Sequence, residues 1–162
     1  GNSNSCVFAL QDALAVHGFP PDCGLTGRFC AATDKALCFV KADGSVSTYD
    51  YQGANLARCS INGGKFATVL LENYSSGGLT HLATVNTAGE EIAALTVDSQ
   101  VLDLSAAGRY VAVLYTSSLV IYDRNLRQCA VLEDVNFARR VLMRSDGSAV
   151  LAGTNSASLY LP

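Results

Sequence analysis

The chain has no tryptophan, one methionine, three prolines and two histidines in 162 residues. Only 15 % of its residues are charged and the net charge is −3. Phosphate backbones are bound by clustered Lys and Arg, so this composition argues against a nucleic-acid partner. No apolar run approaches the roughly 18 residues of a membrane span. The start, Gly1-Asn2-Ser3-Asn4-Ser5, is polar and shows no signal peptide. An anchor or signal upstream of it stays open.

Chemistry-bearing patterns are also missing. The six cysteines, Cys6, Cys23, Cys30, Cys38, Cys59 and Cys129, contain no C-x-x-C pair, and the histidines are only His17 and His81. A zinc site needs paired or clustered ligands, so no metal is expected. Cys30, Cys38, Cys59 and Cys129 fall in apolar alternations, where a Cys packs as a small buried hydrophobe. Cys23 in a loop leaves one disulfide open. No Ser sits in a G-x-S-x-G elbow, and no Gly-rich loop follows a strand to cradle phosphate. The acidic residues Asp43, Glu90, Glu91, Asp123 and Asp146 fall in turn segments, where solvated turn roles are expected. General acid–base work needs groups held around a substrate, and none are. The expectation is a chain with no catalytic residues and no cofactor.

What the sequence does have is a recurring cadence. Hydrophobic residues make up 49 % of the chain, enough for one domain with a core. A glycine followed by small, aromatic and branched apolar residues occurs at Gly27, Gly64, Gly108 and Gly147, spaced 37, 44 and 39 residues apart. An apolar run precedes each glycine: Leu14-Ala15-Val16, then 56–59, 101–104 and 140–143. A third run follows each, at 37–40, 82–85, 119–122 and 158–161. A fourth follows in three cases, at 46–51, 92–96 and 129–132. Short runs rich in Val, Leu, Tyr and Ala between Gly, Asn, Asp and Ser are strands. Gly44 and Gly89 supply the positive φ of a tight hairpin, and Asn125 is expected to do so in the third repeat.

Four strands joined by tight turns and recurring at about 40–45 residues make a propeller blade. The fold class expected is therefore all-β, a β-propeller of about four four-stranded blades or a fragment of a larger ring. The blades would span about 13–51, 55–97, 99–133 and 138–161. The fourth has three strands; residues 5–10, "CVFAL" beside the "CAVL" of 129–132, would close the ring as its missing strand. Tyr110, Val111, Val113, Val69, Val120, Ile121, Val150 and Leu151 should be mostly buried.

Tyr122-Asp123 sits where repeats of the WD type carry Trp-Asp, without their Trp or Gly-His. The stretches "GRYVAVLYTSSLVIYDRNL" and "VLMRSDGSAVLAGTNSASLYLP" resemble an uncharacterised family of bacterial propellers found in Firmicutes. That resemblance implies an extracytoplasmic domain, often behind a membrane anchor, and brings no catalytic residue. A rival reading comes from "LQDALAVHGFPPDCGLTGRFCAATDKALCF", residues 10–39, which resembles the three-helix peptidoglycan-binding domain. Under it, Thr33-Asp34 would cap a second helix, and the protein would be a cell-wall-associated module.

The function expected is non-catalytic binding or scaffolding, as a monomer or homodimer, with a protein, peptide or glycan as partner. The loop at Glu72–Gly78 breaks the tight-turn rule and is where a partner would dock, making Asn73 and Tyr74 candidate binding residues. Arg139 and Arg140, at the start of an innermost strand, are candidate anion contacts facing a central channel.

Overall fold

The structure, a computed structural model, describes residues 28–41, 43–61, 65–74 and 78–162. Among these described residues there are fourteen strands in four antiparallel sheets. The first sheet contains β1 (Arg28–Ala32), β2 (Ala36–Lys41) and β3 (Val46–Asp50). The second contains β4 (Asn55–Ser60), β5 (Phe66–Asn73), β6 (Leu79–Asn86) and β7 (Glu91–Val97). The third contains β8 (Val101–Ala107), β9 (Tyr110–Tyr115), β10 (Leu119–Asp123) and β11 (Gln128–Leu132). The fourth contains β12 (Ala138–Met143), β13 (Ala149–Gly153) and β14 (Ala157–Tyr160). Each sheet is a meander in which consecutive strands pair. The anticipated strand at 14–16 and the closing strand at 5–10 lie outside the described residues.

The rival helical reading fails where the structure describes it. Residues 28–41 form the β1–β2 hairpin, with Cys30 opposite Phe39 and Ala32 opposite Leu37. Thr33 caps a turn, not a helix: its Oγ1 accepts from the Lys35 and Ala36 N–H groups and donates to the Ala36 carbonyl. Alternating Cys30, Leu37 and Phe39 bury one face of a strand pair, a period-2 pattern that a helix could not use.

The turns follow one rule. At Lys41, Asn86, Asp123 and Arg144 the N–H donates to the carbonyl four residues on, and the N–H three residues on donates back. The fourth residue of each turn is left-handed. It is Gly44 at φ 82°, Gly89 at 81° and Gly147 at 91°, but Leu126 at 56° in the third sheet. The expectation for Asn125 is thus corrected by one position. Leu126 is buried among Phe66, Val111 and Val113, and this burial offsets the roughly 1–2 kcal/mol that the left-handed region costs a non-glycine residue.

Both faces of a blade must be covered, which is why its strands read as nearly continuous apolar runs. Ala67, Val69, Leu71, Ala83 and Val85 of the second sheet meet Cys30, Leu37 and Phe39 of the first. Its opposite face, with Phe66, Leu70 and Leu82, meets Val111 and Val113 of the third. Ala112, Leu114, Leu119 and Ile121 then meet Val141, Met143, Ala149 and Leu151 of the fourth. Hydrogen bonds tie the inner strands together. Ser60 Oγ accepts the Ala106 N–H, and Ser105 Oγ accepts the Met143 N–H, both at 2.9 Å.

Register makes three faces equivalent: Ser60–Thr68–Thr84, Ser105–Ala112–Ile121 and Leu142–Val150–Leu159. The first two are buried under the next sheet, whereas Leu142 and Leu159 of the last are exposed. Val150 is accordingly only half-buried, less than its sequence suggested, because no described residue covers that face. Tyr110 is also half-buried, while Val111, Val113, Val69, Val120, Ile121 and Leu151 are buried. Cys30 and Cys38 are buried and Cys59 is half-buried, but Cys129 is exposed. It lies on β11, an edge strand of its sheet, on the face it shares with the exposed Val131, whereas Ala130 and Leu132 on the other face pack against the core.

Candidate functional site

A cleft of about 390 Å³ opens between the first two sheets. Its wall on the second sheet carries Leu71, His81, Ala83, Ala94 and Glu91. Leu71 pairs with His81, Ala83 with Ala94 and Val85 with Glu91, so these residues share one face. Glu91 reaches that face through a bulge in the β6–β7 pairing, where Ile92 is the extra residue. Without it, strict alternation would turn Glu91 to the other side. The opposite wall is Tyr49, Asp50, Tyr51, Gln52 and Ala54, at the end of β3 and the turn after it.

Tyr49 and Tyr51 lie two apart on an extended segment, so their rings fall on the same side. They meet edge to face with centroids 6.4 Å apart. The Tyr49 hydroxyl donates to Glu91 Oε2 at 2.6 Å, joining the two sheets. Burial, then the Glu91 hydrogen bond, raises the Tyr49 phenol above its ordinary value. Tyr51 is 3 % exposed, and its hydroxyl, closed to solvent, has no hydrogen-bond partner among the described residues. Its phenol is raised too, chiefly by burial. A buried polar group without a partner costs about 1–3 kcal/mol and calls for an explanation. Asp50 Oδ1 accepts the Gln52 N–H at 2.6 Å, holding the turn in which Gln52 takes φ 54°.

The sequence candidates fall in different places. Asn73 ends β5 and lines this cleft. Tyr74, the next residue, is 72 % exposed, and its hydroxyl donates to Glu72 Oε2 at 2.6 Å. Arg139 and Arg140 are not in the cleft. Arg139 is the extra residue of the β12 bulge, and its Nη1 donates to the carbonyls of Asn136 and Ala138. It is therefore committed to its own backbone. Arg140 is exposed on β12. In register it matches Arg58 and Asp103, which pair at 3.7 Å; Asp103 Oδ2 also accepts the Val141 N–H.

Tyr49, Tyr51, His81 and Glu91 were not singled out by the sequence as a site. Glu91 reads there as a solvated turn residue, yet it begins β7 and binds Tyr49. Asp43, Asp123 and Asp146 do keep turn roles, each accepting backbone N–H groups from its own turn. The one available signal was the close pair of tyrosines, Tyr49 and Tyr51, beside Asp50. Among the described residues no group of His, Cys, Asp or Glu is placed to hold a metal ion.

No family model and no curated protein matches this chain. Solved structures do match. A chain in the crystal structure of BBS1N in complex with ARL6DN is similar at TM-score 0.58 and 11 % identity, over 82 % of this chain and 46 % of that one. The RRP9 WD40 repeats match at TM-score 0.55 and 12 % identity, over 76 % and 43 %. Apo AztD from Citrobacter koseri matches at 0.54 and 13 %, over 74 % and 35 %. The chain spans less than half the length of each. Four stacked antiparallel meanders, similar in fold to WD40 repeats, make this an all-β chain of the β-propeller fold.

Proposed function

We propose that the chain is a non-catalytic binding propeller that holds a peptide segment of a partner protein in the cleft between its first two sheets. The convergence of Tyr49, Tyr51, Asn73, His81 and Glu91 on one open cleft between two sheets carries this reading. Two aromatic rings, an imidazole, two side-chain amides and two carboxylates give such a ligand both apolar contact and directed hydrogen bonds. Glu91 Oε2 accepts from the Tyr49 hydroxyl, which fixes one wall of the cleft against the other. The similar BBS1N structure is a complex with ARL6DN, which supports a protein partner by analogy of fold alone. An extracytoplasmic setting belongs to the same proposal and rests on the sequence resemblance. Among the described residues no helix is long and apolar enough to cross a membrane.

Selection of displayed random peptides against the immobilised chain tests the reading. Peptides that bind should lose about tenfold or more in affinity on Tyr49→Ala, the scale of removing one aromatic anchor. Peptides that bind Tyr49→Ala as tightly as the parent would place the binding surface elsewhere.

A further inference from the structure

We propose that Gly89 is a positioning residue that sets the width of this cleft. Its bare backbone stops the second sheet against Thr48 of the first and so holds Glu91 within reach of Tyr49. The role in binding rests on the peptide reading above, whereas the stop rests on geometry of its own. A Cβ on Gly89 would stand 2.7 Å from the Thr48 carbonyl oxygen and 3.0 Å from its carbon, so the two backbones already touch. Tyr49 follows Thr48, and Glu91 stands two residues after Gly89. Beside the contact, these two join the walls through their 2.6 Å hydrogen bond. The contact is a stop and the bond a latch.

The third sheet shows what a side chain does at the same place. There the equivalent turn residue is Leu126, buried among Phe66, Val111 and Val113, and the Arg124 carbonyl accepts from Thr84 Oγ1 of the second sheet at 2.7 Å. A side chain fills that gap between sheets; at Gly89 the backbones meet instead. The Gly89 turn is also stiff. The Asn86 N–H donates to the Glu90 carbonyl, and the Asn86 carbonyl accepts the Gly89 N–H. Asn86 Oδ1 accepts the Ala88 and Glu90 N–H groups, and its Nδ2 donates to Glu90 Oε2. Glu91 pairs with Val85 beside the bulge at Ile92, so it moves with the turn. Tyr49 packs edge to face on Tyr51 and cannot follow it. A side chain at position 89 therefore parts the walls. About 0.5 Å of parting takes the 2.6 Å bond beyond the roughly 3.0 Å reach of an O–H···O contact.

The test uses the full chain carrying 3-fluorotyrosine, with the Tyr49 fluorine resonance assigned from Tyr49→Phe. Gly89→Ala and Glu91→Ala should both move that resonance, since each breaks the bond to the Tyr49 hydroxyl. Gly44→Ala has the same left-handed strain but nothing within 4 Å of its Cβ, and should leave the resonance in place. A fluorescein-labelled peptide taken from the displayed-peptide selection should bind about fivefold more weakly to Gly89→Ala and Glu91→Ala, the scale of one hydrogen bond. It should bind Gly44→Ala as it binds the parent. An unmoved Tyr49 resonance in Gly89→Ala overturns the stop. A moved resonance with unchanged peptide affinity overturns the role in binding, and the peptide reading then stands if Tyr49→Ala still weakens that peptide. Should Gly89→Ala fail to fold, parental peptide affinity in Glu91→Ala overturns the proposal. If no displayed peptide binds the parent chain, the peptide reading falls and the Tyr49 resonance alone decides the stop.

Discussion

Gly89 and Thr48 belong to turns and strands of different sheets, and a Cβ on Gly89 would stand 2.7 Å from the Thr48 carbonyl oxygen. Gly44, one sheet earlier, has the same left-handed φ but nothing within 4 Å of its Cβ position. The pair separates backbone strain from close approach. Gly44→Ala should cost about 1–2 kcal/mol from its φ alone. Gly89→Ala should cost at least about 1 kcal/mol more, because a backbone carbonyl cannot move aside as a side chain can. Denaturant unfolding of the two variants checks this, and equal losses would contradict the inter-sheet contact.

Ile121 is buried in the row Ser105–Ala112–Ile121 that the fourth sheet covers. Ile121→Ala should cost roughly 2–5 kcal/mol. Ser105→Ala should cost about 1–3 kcal/mol by leaving the buried Met143 N–H unpaired. A loss below about 1 kcal/mol for Ile121→Ala, read by chemical denaturation, would argue against a central strand there.

Alkaline pH should unfold the chain cooperatively. Burial raises Tyr49, Tyr51 and Tyr115 above the ordinary tyrosine value of 10.0, and raises Cys59 above 9.0. Above those values the unfolded chain sheds protons that the folded chain keeps. The unfolded state then binds fewer protons, so stability falls as pH rises. Phenolate absorbance should therefore show three of the seven tyrosines ionising only together with loss of β structure. Smooth, independent titration of all seven would contradict their burial.

β14 pairs with β13 on one side only among the described residues, beside the exposed Leu142 and Leu159. Exposed strand edges are aggregation hazards that proteins tend to cover. We propose that residues 5–10 add the outer strand of this sheet, as β11 does in the third, and close a ring of four blades. Deleting residues 1–11 should produce aggregation or a lower unfolding midpoint, while the intact chain stays monomeric in light scattering. A soluble truncation with an unchanged midpoint would refute closure, and an intact dimer would point to a larger ring built by a second copy.

The positions of the strands were legible because Gly, Asn and Asp punctuate runs of period two, and both signals are local. Gly44, Gly89 and Gly147 stood out because no other residue takes positive φ so readily. Leu126 did not, because its left-handed turn is supported by burial against Phe66 and Val113 in the core, which the local sequence does not show. Arg139 looked available in the sequence, yet a bulge turned its guanidinium onto two carbonyls.

The cleft was the least legible part. Tyr49 and Glu91 are 42 residues apart, and only the stacking of one sheet on the next makes them neighbours. By itself the sequence determined that strands form, where they turn and which residues alternate, since backbone sterics and period-two patterning act within a few residues. Only the tertiary structure decided which face of each sheet is covered and that Glu91 faces Tyr49. It also buried the Tyr51 hydroxyl without a partner among the described residues, because these outcomes depend on contacts between sheets that no short stretch of chain encodes.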